Sequence, residues 1–526
     1  MIPLRERRAI GAALIAVFIG ALDLTVIATI LPEMVTGLRV NAADVDRYVW
    51  IVSSYLLAYI VAIPLFGRLS DVLGRGLAFW SALALFLVGS ISCALANDLP
   101  TMVASRAIQG AGGGALLPIT MALVADLLPV GQRIAALGLV GAVDTLGWVL
   151  GPIWGAILVG LAPGAEPWRW VFIINVPLAL LAMLALRVLT PAAGRATPSQ
   201  FDSDRNGISS NWLARLDLPG AVLLAIALLA LNLGLSAGGE LGGNPDGGRA
   251  LGGSRNPLSE YVIPLLLVAA AALLLFVMRE RRARWPLLPV KLFQSAQFCA
   301  AVAANFLIGG SLIVAMVDVP VITALIVPAD QVSRDSALML APFTVVIAAL
   351  SLAGGRIAAR FGAKRTATTG LVLVAVGYAL LWFGLRGGAL TGMLPGLVVS
   401  GAGFGLVFAP VSATAIDSAP EQDRGIAAAM TLLFRLLGMT IGISILTAIA
   451  VRRLQGLVGD LNAIVQAPGE STAEFLARQT TLLYDTVLPL SLQVVRETFL
   501  LAAIIALVGI VPVTMFSPLR SPDRDT

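Results

Sequence analysis

With 526 residues, 58% of them hydrophobic and only 12% charged, and a mean hydropathy of +0.92, the chain has more apolar surface than one soluble core can hide. Its net charge of +5 comes from short basic clusters between apolar runs, which read as topology signals and exclude a nucleic-acid surface. Histidine is absent, so any proton carried near neutral pH must ride on a carboxylate, and the two cysteines, Cys93 and Cys299, lie in apolar runs and form neither a disulfide framework nor a thiol metal site.

Arg5, Arg7 and Arg8 precede an apolar run to Leu31 that is long enough to span and lacks a clear cleavage site, so it reads as the first span. A bilayer core takes about 20 apolar residues per helix. Runs of that size lie near 9–31, 48–66, 77–96, 101–127, 134–160 and 170–190, an N-terminal six-helix bundle over 1–190. The stretch 191–217, rich in Pro, Ser and Asp, reads as a cytoplasmic linker. Two inserted spans follow near 218–237 and 261–278, within 218–279. Six more, near 297–325, 336–354, 367–385, 393–416, 425–450 and 494–515, form a second bundle over 280–526. The expectation is an all-α polytopic membrane protein with fourteen transmembrane helices. Placing both termini in the cytoplasm puts 22 basic residues on that side and 11 outside, the arrangement favoured by the positive-inside rule for a cell (inner) membrane protein. The longest external segment, 452–492, reads as two helical stretches broken at APG, and STAE at 471–474 fits a capping box.

The last six spans echo the first six. GRLSDVLGR at 67–75 recurs as GRIAARFGA at 355–363, and QGAGGG at 109–114 as SGAGFG at 400–405. At an offset of 291, Asp144, Gly147 and Gly151 fall on Arg435, Gly438 and Gly442. A duplicated bundle marks a transporter whose halves rock about a midplane site.

These residues resemble the major facilitator superfamily over nearly the whole chain. Gly67, Leu69, Asp71, Gly74 and Arg75 are similar to its loop motif between spans two and three, and Arg106, Gln109 and Gly110 to its fourth-span motif. Gly138, Gly147, Gly151, Pro152 and Gly155 resemble the fifth-span motif of exporters, with Ala156 where a glycine is usual. WRWVFIINVP at 168–177 resembles a signature of the 14-span drug:proton antiporter branch, and YLLAYIVAIPLFGRLSD and GALLPITMALVADL a mycobacterial subgroup linked to drug tolerance and lipid export. The resemblance implies the major facilitator fold, two six-helix bundles plus two inserted helices. For that subgroup it also implies a periplasmic lipoprotein partner.

A charge at mid-bilayer costs at least about 2.5 kcal/mol, so Asp23, Arg106, Asp144 and Arg435 should face a wet cavity or each other. Counting from the outer span ends puts Asp23 and Arg106 at depths of roughly 12 and 9 Å, compatible with a pair that either carries the proton or fixes packing. Asp144 and Arg435 are expected as charges on a shared cavity. Asp71 is either a solvated loop charge or a latch capping the start of span 13 near Arg424 and Gly425. Because Ala359 stands at its repeat position, the latch should be one-sided. Asp318 and Asp417, close to span ends, are expected to be interfacial. The glycines of the fifth-span motif are spaced for close helix approach, and Pro152 for a bend.

Together these residues imply a proton-coupled exporter of amphiphilic drugs or other hydrophobic compounds. The alternative is an exporter of glycerolipids such as triacylglycerol, working with a lipoprotein. No ATP-binding loop appears and no cofactor is implied; the partners are protons, membrane lipids and a small amphiphilic or lipid substrate, not nucleic acid. An intramembrane enzyme would need paired carboxylates or metal ligands facing one cavity. A non-transporting sensor would not need buried charges in both halves.

Overall fold

Inside lipid every backbone polar group must be satisfied within its own segment, so long apolar runs become helices. The computed structural model describes residues 4–38, 50–161, 163–164, 166–189, 217–238, 261–283, 286–328, 331–385, 390–458 and 488–516, with Ser471, Glu474, Phe475, Arg478 and Thr481. The linker at 191–216 and the APG break lie outside the described residues.

The first half comprises α1 (Leu4–Gly37), α2 (Trp50–Leu73), α3 (Arg75–Leu95), α4 (Leu99–Leu127), α5 (Val130–Leu161) and α6 (Arg169–Leu189). The inserted pair is α7 (Leu218–Gly238) and α8 (Val262–Glu280). The second half comprises α9 (Ala296–Ile326), α10 (Val332–Phe361), α11 (Ala363–Gly384), α12 (Leu394–Asp417), α13 (Arg424–Val458) and α14 (Leu488–Val508), with a final turn, α15 (Ile510–Val513). Among the described residues, 11 helices are long and apolar enough to cross a membrane, and Arg169–Ala185 and Pro219–Leu235 are shorter apolar helices. Large apolar side chains stay exposed on the outer faces, including Leu77, Val88, Leu184, Leu274 and Val511, as lipid contact requires.

Helix ends follow local chemistry. Asp98 caps α4 by accepting a hydrogen bond from the Thr101 N–H at 2.9 Å. Gly74 separates α2 from α3 at φ 88°, and its repeat image Gly362 separates α10 from α11 at φ 91°. A residue with a Cβ is strained there, which explains why both copies carry glycine. The motif assigned to a loop is in fact mostly helical: Asp71 lies in the last turn of α2.

Packing repeats as well. In the first half α1 packs on α5 and α6, α2 on α4, and α3 on α4 and α6; in the second, α9 packs on α13 and α14, α10 on α12, and α11 on α12 and α14. The halves meet chiefly through α2 with α13 and α5 with α10, which are images of one another. The α7–α8 hairpin rests against α2 and α13. Its ends are tied by Asp217, which accepts from Arg279 Nε at 2.7 Å, and by Glu280, which accepts from the N–H of Leu288 at 3.0 Å.

Candidate functional site

Asp23, on α1, is fully buried, and donors from α4 and α6 converge on it. Arg106 Nη1 donates to Oδ2 at 2.7 Å, while Gln109 Nε2 and Asn175 Nδ2 donate to Oδ1 at 2.9 and 2.7 Å. Gln109 in turn accepts from Arg106 at 2.6 Å and donates to Ser90 Oγ at 2.9 Å. The Arg106 guanidinium lies 4.0 Å from the Tyr55 ring centroid. Both members of the ion pair are sealed from solvent, at 0% and 1% exposure, so neither end of a transport path reaches Asp23 in this conformation. Depth along the helices anticipates the pair. It does not reveal the roles of Gln109 and Asn175, because only the packing of α4 and α6 around α1 brings the amides to the same oxygen.

Among the described residues, the second half has no copy of this network. Ser311 occupies the position of Asp23 and Leu397 that of Arg106, and the Tyr378 hydroxyl donates to the Ser311 carbonyl. Asp318, expected to be interfacial, lies within α9 near the end of its span and accepts from the Thr498 hydroxyl on α14.

Between the halves lies a cleft whose empty space, open solvent included, is about 600 Å³. The first half contributes Tyr59, Asp144, Thr145 and Trp148 to its wall, and the second mainly apolar side chains together with Arg435. Asp144 and Arg435 therefore face one cavity, and among the ion pairs of the described residues none joins them. Arg435 instead stacks over Phe408, 4.5 Å from its ring centroid. The glycines of the fifth-span motif set this wall against α1. A Cβ on Gly147 would stand 2.6 Å from that of Ala21, one on Gly155 would stand 2.9 Å from Val26 Cγ2, and one on Gly151 would overlap Thr25. Gly138 serves the other face of α5, where its backbone meets Ser351 of α10 in the opposite half. Pro152 lies within α5, and its side chain is outside the described residues.

The halves are bolted together at the side that carries the α2–α3, α4–α5 and α12–α13 turns. Asp71 Oδ1 accepts from the Gly425 N–H at 2.8 Å and Oδ2 from the Ile426 N–H at 2.9 Å, at the positive end of α13. Arg75 holds Asp71 at 2.5 Å and reaches Asp126 at 2.8 Å. The Asp71 side chain is only 1% exposed, which excludes the solvated alternative. Gly67 admits the approach, since a Cβ there would lie 2.5 Å from that of Ala429. Arg424 does not bond Asp71; it pairs with Asp126 at 3.4 Å.

Two further ties were not anticipated. Arg68 pairs with Asp423 at 3.3 Å, and Arg133 pairs with Asp417, so Asp417 too is a cross-half partner and not a free interfacial charge. Adding 291 to Arg133 gives Arg424, and subtracting 291 from Asp417 gives Asp126. The Arg133–Asp417 and Arg424–Asp126 ion pairs are thus images of each other, and closure at this side is two-sided even though Asp71 has no counterpart. The repeat offset already contained this relation.

A sequence model described as the Major Facilitator Superfamily matches residues 13–443. The chain is 36% identical over 482 residues to a triacylglyceride transporter of Mycolicibacterium hassiacum, covering 90% of this chain and 84% of that protein. It is 36% identical over 476 residues to a triacylglyceride transporter of Mycobacterium tuberculosis, covering 88% and 86%. Among solved structures it resembles the proton:xylose symporter XylE bound to 6-bromo-6-deoxy-D-glucose, with TM-score 0.58 and 15% identity, over 96% of this chain and 95% of that one. The human organic anion transporter MFSD10 also gives TM-score 0.58 at 15% identity, over 95% and 99%. At such identity the likeness extends to the fold alone.

Proposed function

Because the chain belongs to the Major Facilitator Superfamily, we propose that it exports glycerolipids of the triacylglycerol class across or out of the cell membrane by alternating access, driven by protons bound at Asp23. The observation that carries the lipid reading is the likeness to relatives named triacylglyceride transporters, which runs through most of both chains. The apolar second-half wall of the cleft fits acyl chains. A long-chain triacylglycerol exceeds the cleft, so its glycerol region would lie inside while the chains extend between the halves toward lipid.

The ties at Asp71, Arg133 and Arg424 would hold one gate shut, and their release would open it. Arg106 would hold the Asp23 carboxylate until the rearrangement admits a proton. On this reading the gated side and both termini are cytoplasmic, and the segment 452–492 meets a periplasmic lipoprotein.

A second reading, export of cationic amphiphilic drugs, is favoured by one observation: the Asp144 carboxylate lies on a cleft of drug-accommodating size. Proteoliposomes with an imposed pH gradient separate the two. Gradient-driven movement of labelled triacylglycerol supports the lipid reading, movement of the cationic dye alone supports the second, and movement of neither rejects transport by this route.

A further inference from the structure

The two walls of the cleft descend from the same repeat, and three pairs of equivalent positions on them differ in the same chemical direction. Tyr59 corresponds to Ile347, Thr145 to Leu436 and Trp148 to Met439, and all six line the cleft. Each pair is polar in the first half and apolar in the second. Such a cavity suits a ligand with a polar end and a hydrocarbon end, and it fixes which end meets which half.

Two donors at the cleft, one from each half, are left without acceptors. Among the described residues, the indole N–H of Trp148 and the Nε–H of Arg435 are buried and meet no acceptor. Unpaired buried donors are costly, and a ligand that supplies the missing acceptor removes that cost. The two threonine hydroxyls on the cleft are already engaged, since Thr145 donates to the Gly141 carbonyl at 2.8 Å and Thr344 to the Leu340 carbonyl at 2.8 Å. Trp148 is held in place: its own carbonyl accepts from Thr25 Oγ1 at 2.9 Å, and Gly147 and Gly151 press this turn of α5 onto α1.

We propose that Trp148 and Arg435 form a reading site for the carbonyl oxygen of an ester-linked lipid, whose acyl chains lie against the second-half wall. An anionic acceptor is disfavoured, because Asp144 shares the cavity and balances the charge of Arg435; a neutral carbonyl meets both donors without repulsion. The inference rests on the glycerolipid reading and narrows it to ester lipids, with Trp148 as the specificity-determining residue.

The test compares trioleoylglycerol with its tri-ether analogue, which has the same chains and no carbonyl, in gradient-driven transfer by the reconstituted full chain. The wild type should move the ester about 5- to 10-fold faster than the ether, the range expected for one or two hydrogen bonds. Trp148→Phe keeps an aromatic ring and removes one of the two donors, so it should lower the ester-to-ether ratio by about 2- to 5-fold, whatever it does to the absolute rates. A wild-type ratio near one overturns the proposal without recourse to any variant, and an unchanged high ratio in Trp148→Phe overturns the role of Trp148. Failure of the wild type to move either lipid rejects the glycerolipid reading itself, and this inference with it.

Discussion

A carboxylate at Asp23 receives hydrogen bonds from Arg106, Gln109 and Asn175, so replacing it with asparagine does more than remove a charge. The new amide would turn N–H groups toward existing donors and leave Arg106 buried without a counter-ion. Losing one partner of a buried pair costs about 3–5 kcal/mol. We therefore expect Asp23→Asn to abolish gradient-driven export and also to lower the Tm in detergent. Adding Arg106→Gln should recover much of the Tm but none of the transport. Retained gradient-driven export in the single variant would take Asp23 off the proton path. In the cleft, Asp144→Asn should lower export of a cationic dye more than that of a neutral lipid, because a desolvated carboxylate attracts cations strongly. Equal losses would assign Asp144 to gating. The buried acids were legible as residues out of place in apolar runs, whereas their amide partners were not, since Gln and Asn carry no comparable penalty and are less conspicuous in the same runs.

At the scale of helix ends, the latch on α13 and the two image ion pairs act on one equilibrium. Asp71→Asn should weaken closure by roughly 0.3–1 kcal/mol, up to about 2 in a partly buried geometry. Asp417→Asn removes a charged hydrogen bond worth about 1.5–3 kcal/mol and should open the same mouth further, with the charge swap Arg133→Asp/Asp417→Arg restoring closure. Labelling of cysteines introduced at the mouth measures both, and unchanged labelling in Asp417→Asn would make that pair a passive contact. Farther out, Ser471 and Glu474 form the expected capping box: the Ser471 N–H donates to Glu474 at 3.0 Å, and the Glu474 N–H donates to Ser471 Oγ at 3.2 Å. Hydrogen bonds from the Ser471 hydroxyl and N–H hold the Glu474 carboxyl below its usual range. The cap is therefore fully formed above the ordinary glutamate pKa and is lost as pH falls through the lower folded value. Faster amide exchange around 471–481 only under such acid conditions is the expected signature.

Over the whole molecule, α13 and α14 continue past the apolar runs toward 452–492, and Arg453 pairs with Glu497 at 3.0 Å across them. Shortening that segment should spare efflux of small dyes and impair glycerolipid transfer if it hands lipid to a partner; equal retention of both would leave it as a tether. The sequence by itself determined the helices and the buried charges, because hydrocarbon enforces apolar length and a heavy penalty on stray charge, and it showed the duplication directly as repeated motifs. The repeats GRLSDVLGR/GRIAARFGA and QGAGGG/SGAGFG were readable in one dimension, whereas the positive φ of Gly74 and Gly362 at helix junctions was not. Only the tertiary structure decided which charges meet across the halves, that Asp144 and Arg435 do not pair across the cavity where both were expected, and that Trp148 and Arg435 have donors left over. Those outcomes depend on how two rigid bundles are set against each other, and helix periodicity within either bundle carries no information about that angle.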